Sequence, residues 1–404
     1  MGEGFRHLTI IPVPAPPKLA VVISHPTQYY SPWFAWLTAH RQLDLRVFYL
    51  WDFGVRVQRD RQFEAAFAWD RDLLTGYAHE FVPNHARDPG THHFFGLYNP
   101  ALPAQLRAWQ PAAVLLFGYN YRTHLRLILH PPAPLIFRGD SHLLGHPPGL
   151  RKRFLLRLLF ARFAAVTYVG AANHDYFRAF GVPEKKLHFV PHCVDAAFFR
   201  ATAANRAASA ALRAQLGLGN RRVVLFAGKF VSAKQPRELL AAFQALAPRD
   251  AALVFVGSGE EQGVLEAAAA AHPDVMMRFL PFANQSEMPA RYLLADIFVL
   301  PSRGLHETWG LAVNEAMHLG VPCLVSDRVG CQRDLVTDGE TGWVFRAEES
   351  GALQQKLATA LADVTDSTSQ DKMSAAIAAR IGGYTYASAA RGLVAALHSL
   401  PLPP

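Results

Sequence analysis

Two acids with seven residues between them, Glu307 and Glu315, follow the apolar run Ile297 to Leu300. A helix starting near Trp309 would leave Glu307 in the loop above its N-terminus and set Glu315 about two turns along, on the face shared with Ala312 and Leu319. Carboxylates so placed are costly to bury without hydrogen-bond donors, and the paired hydroxyls of a sugar or a ribose are suitable donors. Between them, the amides of Trp309, Gly310 and Leu311 at the helix start suit phosphate or sugar oxygens. The plainer alternative is one acid favoured by the helix dipole and one surface glutamate.

A second group of charges lies upstream. Gly228, Lys229 and Lys234 follow the run Val223 to Ala227. Two cations near one helix N-terminus make a clamp for a diphosphate leaving group, although a pair of solvated lysines reads the same way. Gly257-Ser258-Gly259 follows Leu253 to Val256 and needs only a tight turn to explain it. The segment Pro301 to Glu307 follows Ile297 to Leu300. In an open parallel sheet, loops after the strands face one cleft, so these three loops belong together.

The elements that carry them form two series. Leu19 to Ile23, Leu43 to Leu50, Val114 to Phe117, Leu135 to Phe137, Val166 to Val169 and Leu187 to Val190 read as buried strands alternating with helical stretches. Val223 to Ala227, Leu253 to Val256, Met276 to Leu280, Ile297 to Leu300, Cys323 to Val325 and Trp343 to Phe345 repeat the pattern. The expected fold class is α/β, with two Rossmann-like doubly wound domains facing a cleft. The expected boundaries are a disordered Pro-rich lead-in over 1–17, an N-terminal domain over 18–200, a linker over 201–220, a C-terminal domain over 221–380 and a helix over 381–404. That last helix packs on a domain surface, with a crossing back to the N-terminal domain as one option.

Composition fits a folded enzyme: 404 residues, 51% hydrophobic and 18% charged, exclude a disordered chain and suffice for two cores. Cys193, Cys323 and Cys331 are odd in number and show no CxxC spacing, which argues against a disulfide framework or a zinc site. Without an apolar run of spanning length or the order of a signal peptide, the expected location is the cytoplasm. The net charge of +8 favours an anionic partner, but an Arg-rich and Ala-rich bias selects none. Arg151 to Phe163 interleaves cations with Leu155, Leu156, Leu158, Leu159 and Phe160. It reads either as a basic amphipathic helix making peripheral contact with the inner face of the membrane, or as a core helix with snorkelling arginines; we favour the core reading.

These motifs resemble the donor-site signature of retaining GT-B glycosyltransferases, specifically the group 1 (family 4) type. Gly228-Lys229-Phe230 with Lys234 is similar to the family's Gly-Arg-Leu followed by Lys-Gly. Ala295 to Ser302 is similar to its Ala-Asp-x-x-x-x-Pro-Ser strand, Glu307 to Glu315 to its E-x7-E motif, and Ala316 to Asp327 to the segment that follows. The likeness is strong over 220–345 and thinner upstream, where Val190 to Phe198 resembles the family's Pro-Asn-Gly-Val-Asp-x-x-x-Phe hinge.

The resemblance implies sugar transfer from a nucleotide diphosphate sugar, as co-substrate, to an unidentified hydroxyl acceptor (glycan, lipid-linked or small-molecule). Retention of configuration, no metal, no other cofactor and no nucleic-acid partner go with it. Lys229 and Lys234 would hold the diphosphate, Glu307 the donor sugar and Glu315 the ribose. Gly228, Thr308, Trp309, Gly310 and Leu311 would complete the donor site, with Phe282 in the loop at the base. Asp140 or His142, in Arg138-Gly139-Asp140-Ser141-His142, would sit under the sugar; a helix N-cap at Asp140 or Ser141 is the alternative. His25 is a weaker candidate.

The departures are specific. Lys229 stands where Arg is usual, Gln235 stands for the Gly after the lysine and predicts a less tight turn, and Ser24 to Pro32 lacks a Gly-Gly pair. Asp70-x-Asp72 imitates a metal-binding DxD but lies outside the strand-end loops, and we reject it. A GT-B nucleotide-sugar epimerase, with its acids in the N-domain cleft, and a non-catalytic nucleotide-sugar binder are the competing readings.

Overall fold

The computed structural model describes residues 16–55, 58–60, 65–67, 69–145, 148–303 and 307–400. The lead-in up to residue 15, and Gly304, Leu305 and His306 of the loop before Glu307, lie outside the described residues.

The N-terminal sheet is parallel throughout, in the order β5-β2-β1-β6-β7-β8-β9. Its strands are β1 (Lys18–Ile23), β2 (Asp44–Tyr49), β5 (Ala78–Phe81), β6 (Ala113–Phe117), β7 (Leu135–Arg138), β8 (Ala165–Tyr168) and β9 (Leu187–Phe189), with β3 (Gln58–Asp60) and β4 (Ala65–Phe67) forming a separate antiparallel hairpin. Helices α1 (Ser31–Ala39), α2 (Leu102–Trp109), α3 (Arg122–Leu129), α4 (Leu150–Ala161) and α5 (Ala171–Ala179) cover both faces. The alternation shows why continuous apolar runs are required here. Leu19, Val21 and Ile23 of β1 enter one core, while Ala20 and Val22 enter the core on the opposite face.

The C-terminal sheet is also parallel, in the order β12-β11-β10-β13-β14-β15. It comprises β10 (Arg222–Ala227), β11 (Ala251–Val256), β12 (Met277–Leu280), β13 (Ile297–Leu300), β14 (Cys323–Ser326) and β15 (Gly342–Phe345). Around it lie α6 (Ala203–Gln215), α7 (Pro236–Leu246), α8 (Gln262–Ala270), α9 (Met288–Tyr292), α10 (Leu311–His318), α11 (Gln332–Leu335), α12 (Ala352–Asp363) and α13 (Ser367–Ile381). Each expected strand run thus coincides with a strand; β5 and the hairpin are additions. The segment 201–220 is mostly α6, which packs on α9 of the C-terminal domain.

The last helix, α14 (Tyr386–His398), lies against β8, β9 and α1 of the N-terminal domain. Gly392 permits the close approach, because a Cβ there would stand 1.8 Å from the Phe189 carbonyl oxygen. The three cysteines are buried and unpaired.

α4 departs from the favoured core reading. Leu156 and Phe160 are its buried residues, whereas Leu150, Phe154, Leu155 and Leu158 are exposed. Burial therefore accounts for only one face of that helix. Among the described residues no helix is long and apolar enough to cross a membrane.

Candidate active site in the interdomain cleft

The carboxyl ends of both sheets face a cleft of about 870 Å³. Of the residues singled out above for the site, Gly228, Lys229, Lys234, Phe282, Glu307, Thr308, Trp309, Gly310, Leu311, Glu315 and Asp140 line it, as does His25. His142 does not. The Leu144 amide donates to its Nδ1 at 3.2 Å, which leaves the proton on Nε2 to be donated to the Glu307 carbonyl, also at 3.2 Å. His142 therefore supports the backbone of Glu307 from behind.

On the C-terminal wall, Lys234 Nζ donates to Glu307 Oε2, and Ser302 Oγ donates to the same oxygen at 3.0 Å. Ser302 is itself buried, and its carbonyl accepts the Ser326 hydroxyl. Lys234 ends a 3₁₀ turn closed by Gln235, which holds the left-handed conformation (φ 55°, ψ 42°) usual for glycine. The turn is thus kept despite the missing glycine, and the Gln235 amide is tied to the Ser232 carbonyl at 2.5 Å. Gly257 and Gly259 allow the loops after β10 and β11 to touch through their backbones, since a Cβ at Gly257 would stand 2.0 Å from the Gly228 carbonyl oxygen. Phe230 N donates to the Ser258 carbonyl at 2.9 Å across the same contact.

α10 begins at Leu311, two residues later than expected, because Gly310 turns the chain at φ +100° immediately before it. A second backbone contact fixes this entry. Gly330 lies so close that a Cβ would stand 1.9 Å from the Thr308 carbonyl oxygen, and Cys331 N donates to the Trp309 carbonyl at 2.8 Å. The Trp309 ring is buried, with Nε1 bonded to Asn314 Oδ1 at 2.8 Å.

Deeper in the cleft, Glu315 is 3% exposed and accepts the Tyr292 hydroxyl on Oε2 at 2.7 Å. Its other oxygen is buried with no hydrogen-bond partner among the described residues. Burial pushes this carboxyl up to about 7 from an ordinary 4.5, against the opposing hydrogen bonds of Tyr292 and Tyr29.

The N-terminal wall is a relay of side chains. Asp140 Oδ2 accepts the Thr308 hydroxyl at 2.8 Å and faces His192 Nε2 at 3.3 Å, while the Tyr30 hydroxyl lies 3.4 Å from His192 Nδ1. Burial lowers the His192 ring below its ordinary range and keeps it neutral, so its single proton belongs on Nε2, towards Asp140. Burial alone would raise Asp140, but the hydrogen bond and electrostatic attraction of His192, helped by the hydrogen bonds from Thr308 and its own amide, prevail and hold it down to about 2. Beneath the relay, the buried Arg138 donates to the Val190 carbonyl at 3.0 Å and faces the rings of Tyr30, Trp33 and Phe117 at 5.5 to 5.8 Å. His25, pushed down to about 4 by burial, bonds Ser24 at 2.9 Å and stacks edge-on against Trp51 and Phe53.

The N-cap alternative for Asp140 and Ser141 fails, because the next helix, α4, starts only at Leu150 behind the cap residue Gly149. Asp70 and Asp72 are occupied by other work. The first accepts the Ser286 amide and hydroxyl across the domains, and the second caps the Leu74 and Thr75 amides. Among the described residues, Asp88, His92 and His93 form a group with metal-ligand spacing, and none of the three lines the cleft. His192, Tyr29 and Tyr292 line the cleft without having been singled out by motif spacing, and Ser302, at the end of the Pro-Ser motif, had no role assigned to it. His192 had a signal, since it stands where the hinge motif has Asn.

Comparison with known proteins matches residues 209–379 to the family of glycosyl transferases group 1. A GDP-mannose-dependent alpha-(1-6)-phosphatidylinositol monomannoside mannosyltransferase of Mycolicibacterium smegmatis is 32% identical over 49% of this chain and 53% of its own length. A D-inositol 3-phosphate glycosyltransferase of Salinispora arenicola is 30% identical over 47% and 45%. The chain thus spans about half the length of the curated relatives it matches. Among solved structures, Anabaena HepE in complex with UDP superposes with a TM-score of 0.71 at 18% identity, covering 95% of this chain and 100% of that one. WaaG, a glycosyltransferase involved in lipopolysaccharide biosynthesis, gives 0.63 at 15% identity over 93% and 98%. With residues 209–379 matched to the group 1 glycosyl transferases and its two Rossmann-like domains facing one cleft, the C-terminal half of this chain resembles that family and the whole has the GT-B fold.

Proposed function

We propose that the chain transfers a sugar from a nucleotide diphosphate sugar to a hydroxyl acceptor with retention of configuration, using no metal ion. The observation that carries this reading is the convergence of Lys229, Lys234, Glu307 and Glu315 on one cleft at the N-terminus of α10. A diphosphate there meets two ammonium groups and the first amides of a helix, which supply the charge stabilisation a metal gives elsewhere. Lys234 turns from Glu307 to the phosphate as donor enters, and the released carboxylate accepts hydroxyls of the sugar. The unpartnered oxygen of Glu315 takes a ribose hydroxyl.

The bond from the anomeric carbon to the phosphate oxygen breaks, and the diphosphate leaves with the electron pair. The acceptor oxygen adds to the same face, and its proton passes to the departing phosphate oxygen. Asp140, anchored by neutral His192 and by Thr308, lies where it can hold the sugar during this exchange. The relatives that act on GDP-mannose and the HepE complex with UDP support a nucleotide donor and suggest which to try first.

The experiment is incubation with a panel led by UDP-glucose and GDP-mannose, reading nucleoside diphosphate release with and without hydroxyl acceptors, in buffer and in chelator. Acceptor-stimulated release that survives chelation is expected. Interconversion of the donor without release would instead make the protein an epimerase, and a melting shift without turnover a binder.

A further inference from the structure

We propose that the outward face of α3 and α4 docks the N-terminal domain on an anionic lipid bilayer. The inference deepens the proposed function, on which it rests for the placing of the cleft. α4 carries two apolar faces. Leu156 and Phe160 point into the core, whereas Phe154, Leu155 and Leu158, spaced for the opposite side, are 63%, 64% and 53% exposed. A surface helix with a single core to serve has no use for the second face. α3 adds exposed Leu125 and Leu129 beside it, joined where Arg162 Nη2 donates to the Leu129 carbonyl at 3.1 Å.

Charge selects the occupant. Residues 89–174 hold nine Lys and Arg against a single acid, Asp140, so their net of +8 equals that of the whole chain and the remainder is neutral. Asp140 is turned into the cleft, and α3 and α4 contain no acid at all. Arg151, Lys152, Arg153 and Arg157 on α4, with Arg162 at its C-cap, accompany the exposed Phe154, Leu155 and Leu158. Two copies meeting face to face would oppose like charges with nothing to neutralise them, whereas an anionic headgroup layer over acyl chains complements both features. α4 is the next helix after the segment that carries Asp140, so the docking face and one wall of the cleft belong to the same domain.

The test is flotation of the full chain with vesicles of phosphatidylcholine alone or with phosphatidylglycerol added, at low and high salt. Binding is expected only to the anionic vesicles and weaker in salt. The triple variant Phe154→Glu, Leu155→Glu, Leu158→Glu should lower partitioning at least about tenfold while melting and donor hydrolysis in solution stay at wild-type levels. Arg151→Glu with Arg153→Glu should do the same. Wild-type protein that fails to float, or a triple variant that floats equally well, overturns the docking surface while leaving the transfer reaction standing. A dimer in solution abolished by the triple variant, without vesicle binding, overturns it in favour of a second copy.

Discussion

The two walls of the cleft are built in different ways. On the C-terminal wall the chemistry sits on neighbouring strand-end loops of one sheet and on the helix α10 that follows one of them, and the loops are locked together by glycines whose backbones touch, Gly257 on Gly228 and Gly330 on Thr308. The N-terminal wall is assembled from Tyr30, Asp140 and His192, three segments separated by more than fifty residues, and held by side-chain hydrogen bonds. A wall of local backbone contacts tolerates few substitutions but is specified by short motifs. A wall of side-chain relays is specified only once the chain has folded.

Lys234→Ala breaks the first wall most severely. Turnover should fall ten- to a thousandfold, roughly, because charge growing on the leaving diphosphate loses its nearest cation. Gly330→Ala tests the backbone lock. A methyl 1.9 Å from the Thr308 carbonyl must push that segment aside, and a loss of at least about tenfold in turnover is expected, with melting lowered. Asp140→Asn probes the opposite wall. Removing a charge that acts on the sugar during the exchange should cut kcat by about tenfold with donor KM little changed, since the diphosphate and nucleoside contacts lie on the other wall. Comparable effects on kcat and KM would erase the distinction between the walls.

Glu315→Gln separates binding from stability. The folded state holds this carboxyl's proton up to about pH 7, whereas the unfolded chain releases it near 4.5. The raised folded value means that its stability contribution is present below about 4.5 and is lost as pH rises to about 7. The amide removes that loss, so at pH 8 the variant should be more stable than wild type by roughly 3 kcal/mol, measured by denaturant titration. Its donor affinity should drop by about tenfold, and wild-type affinity should itself weaken as pH falls from 8 to 6. The smallest effect is expected for Gln235→Gly. Relief of the left-handed strain and loss of the Gln235 bond to Ser232 nearly cancel, leaving stability within about 1 kcal/mol and turnover unchanged.

This division also decides what could be read from the chain before folding. Strands such as Leu253 to Val256 are buried on both faces, and a parallel sheet leaves them no choice but a continuous apolar run. β5, Ala78-His79-Glu80-Phe81, escaped notice because an edge strand with half-exposed side chains carries no such run. The positions of Lys234, Glu307 and Glu315 were legible from local spacing. α10 starts two residues later than its helical periodicity suggests, because the left-handed turn at Gly310 is a backbone choice that periodicity does not encode. Tyr29 and Tyr292 were invisible as Glu315 partners, since they approach it from two different domains. α4 misled for another reason: its pattern contains two apolar faces, and only the fold shows which one the core uses.

The central claim is that a diphosphate lies between Lys234 and the start of α10 while a nucleoside rests on Glu315. Titration calorimetry of wild type and Lys234→Ala, with a nucleoside diphosphate and with the matching nucleoside, tests it most directly. The account predicts at least about tenfold weaker diphosphate binding in the variant and unchanged nucleoside binding. Equal affinity of both proteins for the diphosphate would contradict it.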